Sequence, residues 1–120
     1  MGQAEGWGVN KYRAKKAECA HGHVHDSGRE AKRCNELHIL ERAGRIMLLK
    51  MQPKYEFIIH GRPVKMKNGH VARFTPDFAY TEVASLKEVA EDSKGMVTEA
   101  YRIRSAIFRH LFPMIELREV

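Results

Sequence analysis

Thr75-Pro76-Asp77-Phe78-Ala79-Tyr80-Thr81, followed after a short link by Glu88-Val89-Ala90-Glu91-Asp92-Ser93-Lys94-Gly95, is the stretch that decides the fold. Both runs read as strands, in which residues i and i+2 share a face. In the second run Ala90, Asp92 and Lys94 fall on one face, while Val89, Glu91 and Ser93 fall on the other. In the first, Asp77 sides with Thr75 and Ala79, opposite the more apolar Phe74, Pro76, Phe78 and Tyr80. An antiparallel hairpin of these runs brings Asp77 beside Asp92, because opposed Cβ atoms lie only ~4.5–5.5 Å apart.

Working outward, the first strand extends back to Val71 and the second runs from Glu88 to Ser93, with Gly95 closing the hairpin. Thr98 caps a helix reaching His110, with an apolar face of Ala100, Ile103, Ile107 and Leu111, and Pro113 ends it. Ile115-Glu116-Leu117 alternates as a last strand. Upstream, residues 18–25 can form a short strand, and Asp26-Ser27-Gly28-Arg29-Glu30 starts a helix to Ala43, stopped by Gly44. Ala31, Cys34, Leu37 and Leu40 follow helical spacing along it. The apolar run Ile46-Met47-Leu48-Leu49 suits a buried strand between Arg45 and Lys50. Pro53 breaks it, Tyr55 to Ile59 starts another strand, and Gly61 to Gly69 is a turn-rich basic connection. The order is (β)αββββαβ, without repeats, and a mixed α/β fold around a central sheet is its natural solution.

A chain of 120 residues supports one domain. Residues 1–10, with three glycines, read as a flexible leader, and 11–120 as the single domain. The net charge of +6 favours polyanionic partners, nucleic acid before anionic membrane. No run approaches the ~20 apolar residues of a membrane span, and the N-terminus shows no secretory signal. Two cysteines, Cys19 and Cys34, fit reduced thiols, so the cytoplasm is the expected location.

Two adjacent carboxylates repel unless a cation or proton lies between them. Oxygen donors facing a phosphate favour Mg²⁺ or Mn²⁺ over zinc, and Lys94 is placed to orient water or neutralise charge on the phosphate. The plain alternative is a pair of strand-end acids with Lys94 as an ion-pair partner. Glu30 is also double-edged. Ser27-Gly28-Arg29-Glu30 forms a capping box, yet Glu30 lies on the helix face that should meet the sheet, where an unpaired carboxylate is costly. Lys11-Tyr12-Arg13-Ala14-Lys15-Lys16 is either a solvated arm or a phosphate-contacting segment. Lys65, Lys67 and Arg73, with Arg102 and Arg104 on the second helix, can form a phosphate-binding surface, and Tyr101 is a candidate substrate contact near the Lys94 turn. Arg109 reads as solvated. Cys19, His21, His23 and His25 invite a zinc reading, but on a strand their ends are about 20 Å apart at ~3.3 Å per residue, too far for ligands at ~2.0–2.3 Å from one ion.

Together, Lys11 to Lys16, Asp26-Ser27 with Glu30-Ala31, Glu36-Leu37, Leu40-Glu41, Gln52-Pro53-Lys54-Tyr55, Pro76-Asp77-Phe78 and Glu91-Asp92-Ser93-Lys94-Gly95 resemble a family of small phage and prophage proteins. That family, first described only as a domain of unknown function, is placed in the PD-(D/E)XK nuclease superfamily and is similar to phage Holliday-junction-resolving endonucleases. The resemblance covers the chain from about Lys11 onward. It implies a restriction-endonuclease-like core of αβββαβ order, with a mixed central sheet flanked by helices. It also implies Mg²⁺- or Mn²⁺-dependent cleavage of branched or duplex DNA in the cytoplasm of a bacterial host. Carried over by position, Glu30 is the helix acid, Asp77 and Asp92 the metal acids and Lys94 the lysine. Work on two strands of a junction implies a homodimer. A nuclease of other specificity and a non-cleaving DNA-binding or regulatory module are the rival expectations.

Overall fold

The computed structural model describes residues 17–19, 24–25, 28–93 and 97–120. The chain divides into two compact units, Met1–Leu40 and Glu41–Val120. The leader, the Lys11–Lys16 run, His21, His23, the Asp26-Ser27 cap, Lys94 and Gly95 lie outside the described residues.

In the first unit, β1 (Ala17–Glu18) and β2 (Val24–His25) pair antiparallel, where the sequence suggested one strand. Helix α1 (Gly28–Arg42) begins in this unit. Its buried residues Glu30, Ala31, Cys34 and Leu37 make one stripe at helical spacing. The helix ends at Gly44, whose φ of 77° is a left-handed value that suits glycine, and whose N–H donates to the Glu41 carbonyl at 3.0 Å. Cys19 and Cys34 are both buried thiols with sulfurs 3.2 Å apart. Burial comes first in pushing the Cys34 thiol up to about 12, and Cys19 and the Glu30 charge add to it.

The second unit is built on a four-stranded sheet of order β10-β9-β8-β3. Here β3 is Ile46–Met51, β8 Phe78–Glu82, β9 Glu88–Asp92 and β10 Ile115–Glu119. Strands β3, β8 and β9 run antiparallel in turn, and β10 lies parallel to β9. A parallel neighbour needs a crossover, which helix α2 (Glu99–Leu111) supplies. In chain order these longer elements read αβββαβ.

One sheet face packs on α2. Phe57, Phe74, Ala90, Tyr101 and Phe108 form the core there, with Tyr55, Ile107 and Phe112 against it. Phe108 sits at ring-centroid distances of 4.9 Å from Phe74 and 5.0 Å from Tyr55, in tilted and edge-on packing. Phe78, Tyr80, Val89 and Glu91 share the other face and are buried as well.

Four details differ from the sequence expectation. The 55–59 strand is two short pieces, β4 (Tyr55–Glu56) and β5 (Ile58–Ile59), divided at Phe57. Phe57 is 1% exposed and ties to two chain segments, donating to the Ala72 carbonyl and accepting from Val64 N–H. Strand β5 pairs with β6 (Arg62–Pro63), and β4 with β7 (Arg73–Phe74). The 71–81 strand likewise breaks at residues 75–77, between β7 and β8.

The apolar run in β3 is not buried throughout. Only Ile46 is, while Leu48 (φ 58°) is 65% exposed where the register slips between Met47 and Lys50. Such irregularities belong to edge strands, which β3 is. Finally, α2 buries Tyr101, Ser105 and Phe108 and leaves Ile103 53% exposed, so its inward face is rotated from the one the aliphatic residues suggest. No helix among the described residues is long and apolar enough to cross a membrane.

Candidate functional site

The β8–β9 register pairs Phe78 with Glu91 and Ala79 with Ala90, so its continuation sets Asp77 opposite Asp92. The two acids brace each other's strand. Asp77 N–H donates to Asp92 Oδ1 at 3.2 Å, and Ser93 N–H donates to Asp77 Oδ2 at 2.8 Å. Pro76, itself buried, lacks an N–H, so the ladder cannot continue through it, and the chain leaves the strand at the acid. The backbone of each acid is anchored too. The Asp77 carbonyl accepts from Gln52 N–H at 2.9 Å and the Asp92 carbonyl from Val120 N–H at 3.0 Å. One end of all four strands therefore converges on this pair, at the carboxyl ends of the parallel strands β9 and β10. Ligand sites in α/β sheets favour that edge.

Asp92 is 1% exposed and Asp77 half-buried. Asp92 opens onto a cleft of about 420 Å³ lined also by Arg73, Thr75, Thr98, Tyr101 and Arg104. Tyr101 O–H donates to Glu119 Oε2 at 2.6 Å. Burial, that bond and the charge of Asp92 hold its phenol well above the usual tyrosine value, so it stays neutral. A second cleft of about 270 Å³ is lined by Met66, Asn68, His70, Val71, Arg73 and Arg104, so the same two arginines border both.

Glu91 belongs to the opposite face, where it accepts a hydrogen bond from Tyr80 O–H. Adjacent in sequence and equally buried, Glu91 and Asp92 thus have different partners, and strand parity separates them.

Glu30 is 5% exposed in the first turn of α1, in the first unit. Lys94, Lys11, Arg13, Lys15 and Lys16 lie outside the described residues. Lys65 and Lys67 are exposed and flank in sequence Met66, which lines the second cleft. Arg102 is exposed but lines neither cleft, unlike Arg104. Arg109 forms an exposed ion pair with Glu119 at 3.7 Å. The placing of Arg73 between the clefts and the Glu119 bond to Tyr101 were not read from sequence. Helix phase counted from Phe108 and Tyr101 would have put Arg104, rather than Arg102, beside the inward face.

Among the described residues no group of three or more His, Cys, Asp or Glu converges as a metal cage. Mg²⁺ commonly uses one or two carboxylates and completes its octahedron with waters and phosphate oxygens. The Asp77–Asp92 pair supplies hard oxygen donors, of which Asp92 borders the cationic cleft, and is a donor set of that kind.

Neither the curated proteins nor the solved structures contain a match to the chain. Residues 9–120 match the family model described as "Protein of unknown function (DUF1064)", and the chain belongs to that family.

Proposed function

We propose that the protein is a Mg²⁺- or Mn²⁺-dependent DNA endonuclease of restriction-endonuclease-like, PD-(D/E)XK type, acting on branched DNA. The observation that carries this reading is the mutual bracing of Asp77 and Asp92 beside a cleft bordered by Arg73 and Arg104. The αβββαβ order of the longer elements supports it. A bound divalent ion would polarise the scissile phosphate and lower the pKa of a coordinated water. Asp77 and Asp92 would hold that ion, their positions fixed by backbone N–H groups rather than by mobile side chains. Arg73 and Arg104 border the cleft on which Asp92 opens and would give the entering DNA backbone a positive surround. Lys94 and Glu30 enter through the sequence resemblance, Lys94 as the group that orients water. Action on both strands of a junction calls for a homodimer, and the proposed setting is the bacterial cytoplasm.

The test is cleavage of labelled four-way junction, duplex and single strand with Mg²⁺, Mn²⁺ or EDTA. Wild type should cut only with metal. Asp77→Asn and Asp92→Asn should each lower the rate by roughly 10²-fold or more, with melting temperatures showing that they fold. Lys94→Ala and Glu30→Gln test the residues taken from the resemblance. Cutting of linear duplex in preference to junction would remove the branched-DNA part alone. Binding without cleavage under either metal would replace the enzyme by a DNA-binding module.

A further inference from the structure

The geometry points to Arg73 and Arg104 as a shared grip on the phosphate next to the scissile one, with the backbone track continuing over the 66–71 turn. Placing the scissile phosphate at Asp77 and Asp92 rests on the function proposed above. The grip itself rests on the two clefts. Both are bordered by the same two guanidinium groups, one from β7 and one from α2.

Among the described residues two other arginines of this unit are ion-paired, whereas Arg42, Arg45, Arg62 and Arg102 are not. Arg118 reaches Glu116 and Glu82 at 2.7 and 3.0 Å, and Arg109 lies 3.7 Å from Glu119. Arg73 and Arg104 make no such ion pair among the described residues; the side-chain contact of Arg104 is to Met66 sulfur at 4.0 Å. Two unneutralised, planar, multi-donor cations between a carboxylate pair and a second hollow suit a phosphodiester backbone. The hollow beyond them offers Asn68 and His70, and exposed Lys65 and Lys67 flank its Met66 in sequence, so a strand leaving the carboxylates has polar and cationic groups ahead of it. The ligand is therefore the nucleic-acid backbone, held without reading base sequence.

The experiment is binding of a fluorescein-labelled duplex to the full chain in EDTA, followed by anisotropy over a salt series. Arg73→Ala and Arg104→Ala should each weaken binding roughly tenfold and lower the slope of log K against log salt by about one. The double variant should fall short of the product of the two if both grip one phosphate. Arg102→Ala removes the same charge one turn-fraction away and should change binding less than about twofold. If Arg73→Ala lowers the melting temperature, Arg73→Gln, which keeps the stem, is read in its place. Equal losses in Arg102→Ala and Arg104→Ala would overturn the inference in favour of net charge, and so would no loss in any variant. Because the binding assay holds no metal, it is independent of cleavage: a wild type that binds here but cuts with neither Mg²⁺ nor Mn²⁺ would sink the nuclease and leave the grip standing. A wild type that does not bind would overturn the grip whatever its cleavage.

Discussion

Arg118 is held by two carboxylates on different strands, Glu116 two residues before it on β10 and Glu82 at the end of β8. The hydrogen bonds from Arg118 keep both below the ordinary carboxylate value of 4.5, against the desolvation that pushes them up. Folded values below unfolded ones mean that the folded chain binds fewer protons. The contribution is therefore full above about 4.5 and lost as pH falls through the depressed values. Arg118→Ala should be less stable than wild type in urea melts at pH 7, and the gap should close at an acid pH where both carboxylates are protonated. A gap of equal size at both pH values would show that packing of the arginine stem, not its charge, is what matters. At this scale the sequence was legible wherever parity governs. Two-residue periodicity alone separated Asp92 from Glu91 and set Asp77 on the matching face. Arg73 was legible as a phosphate candidate, but its place between two hollows was not, because that depends on Arg104 of a helix further along the chain.

Helix α2 is the element that closes the α2-side core and borders the site. Thr98 caps it, its Oγ1 accepting from Tyr101 N–H at 3.1 Å. Thr98→Ala should cost about 1 kcal/mol. Phe108, fully buried among Phe74, Tyr55 and Phe112, is its anchor, and Phe108→Ala should cost about 3–5 kcal/mol. Chemical denaturation of both variants checks the ratio, and a larger loss for the cap would place the helix's stability in its end rather than its face. The existence and limits of this helix were plain from Thr98 and Pro113. Its orientation was not, because Ile103 competes with Tyr101 and Phe108 for the inward side and the larger aromatic area wins. The break at Phe57 was hidden for a related reason: it falls inside a run of good strand formers and is set by hydrogen bonds to distant segments. The break at residues 75–77 carried its own sign in Pro76, which cannot continue a ladder.

The molecule as a whole is basic, and this charge and the order of its longer elements were readable at once. How the charge is distributed was not, since Arg109 and Arg118 are paired with carboxylates that only the fold supplies. The two cysteines add a consequence of another kind. Both belong to the first compact unit, and Glu41–Val120 contains none. With both thiols buried and Cys34 pushed up to about 12, labelling by a thiol reagent must wait for the unit to open. Labelling rates therefore form an internal clock for the first unit alone, read beside the global unfolding rate. Modification faster than global unfolding would mean that α1 opens as a separate event, whereas equal rates would mean that the protein opens all at once.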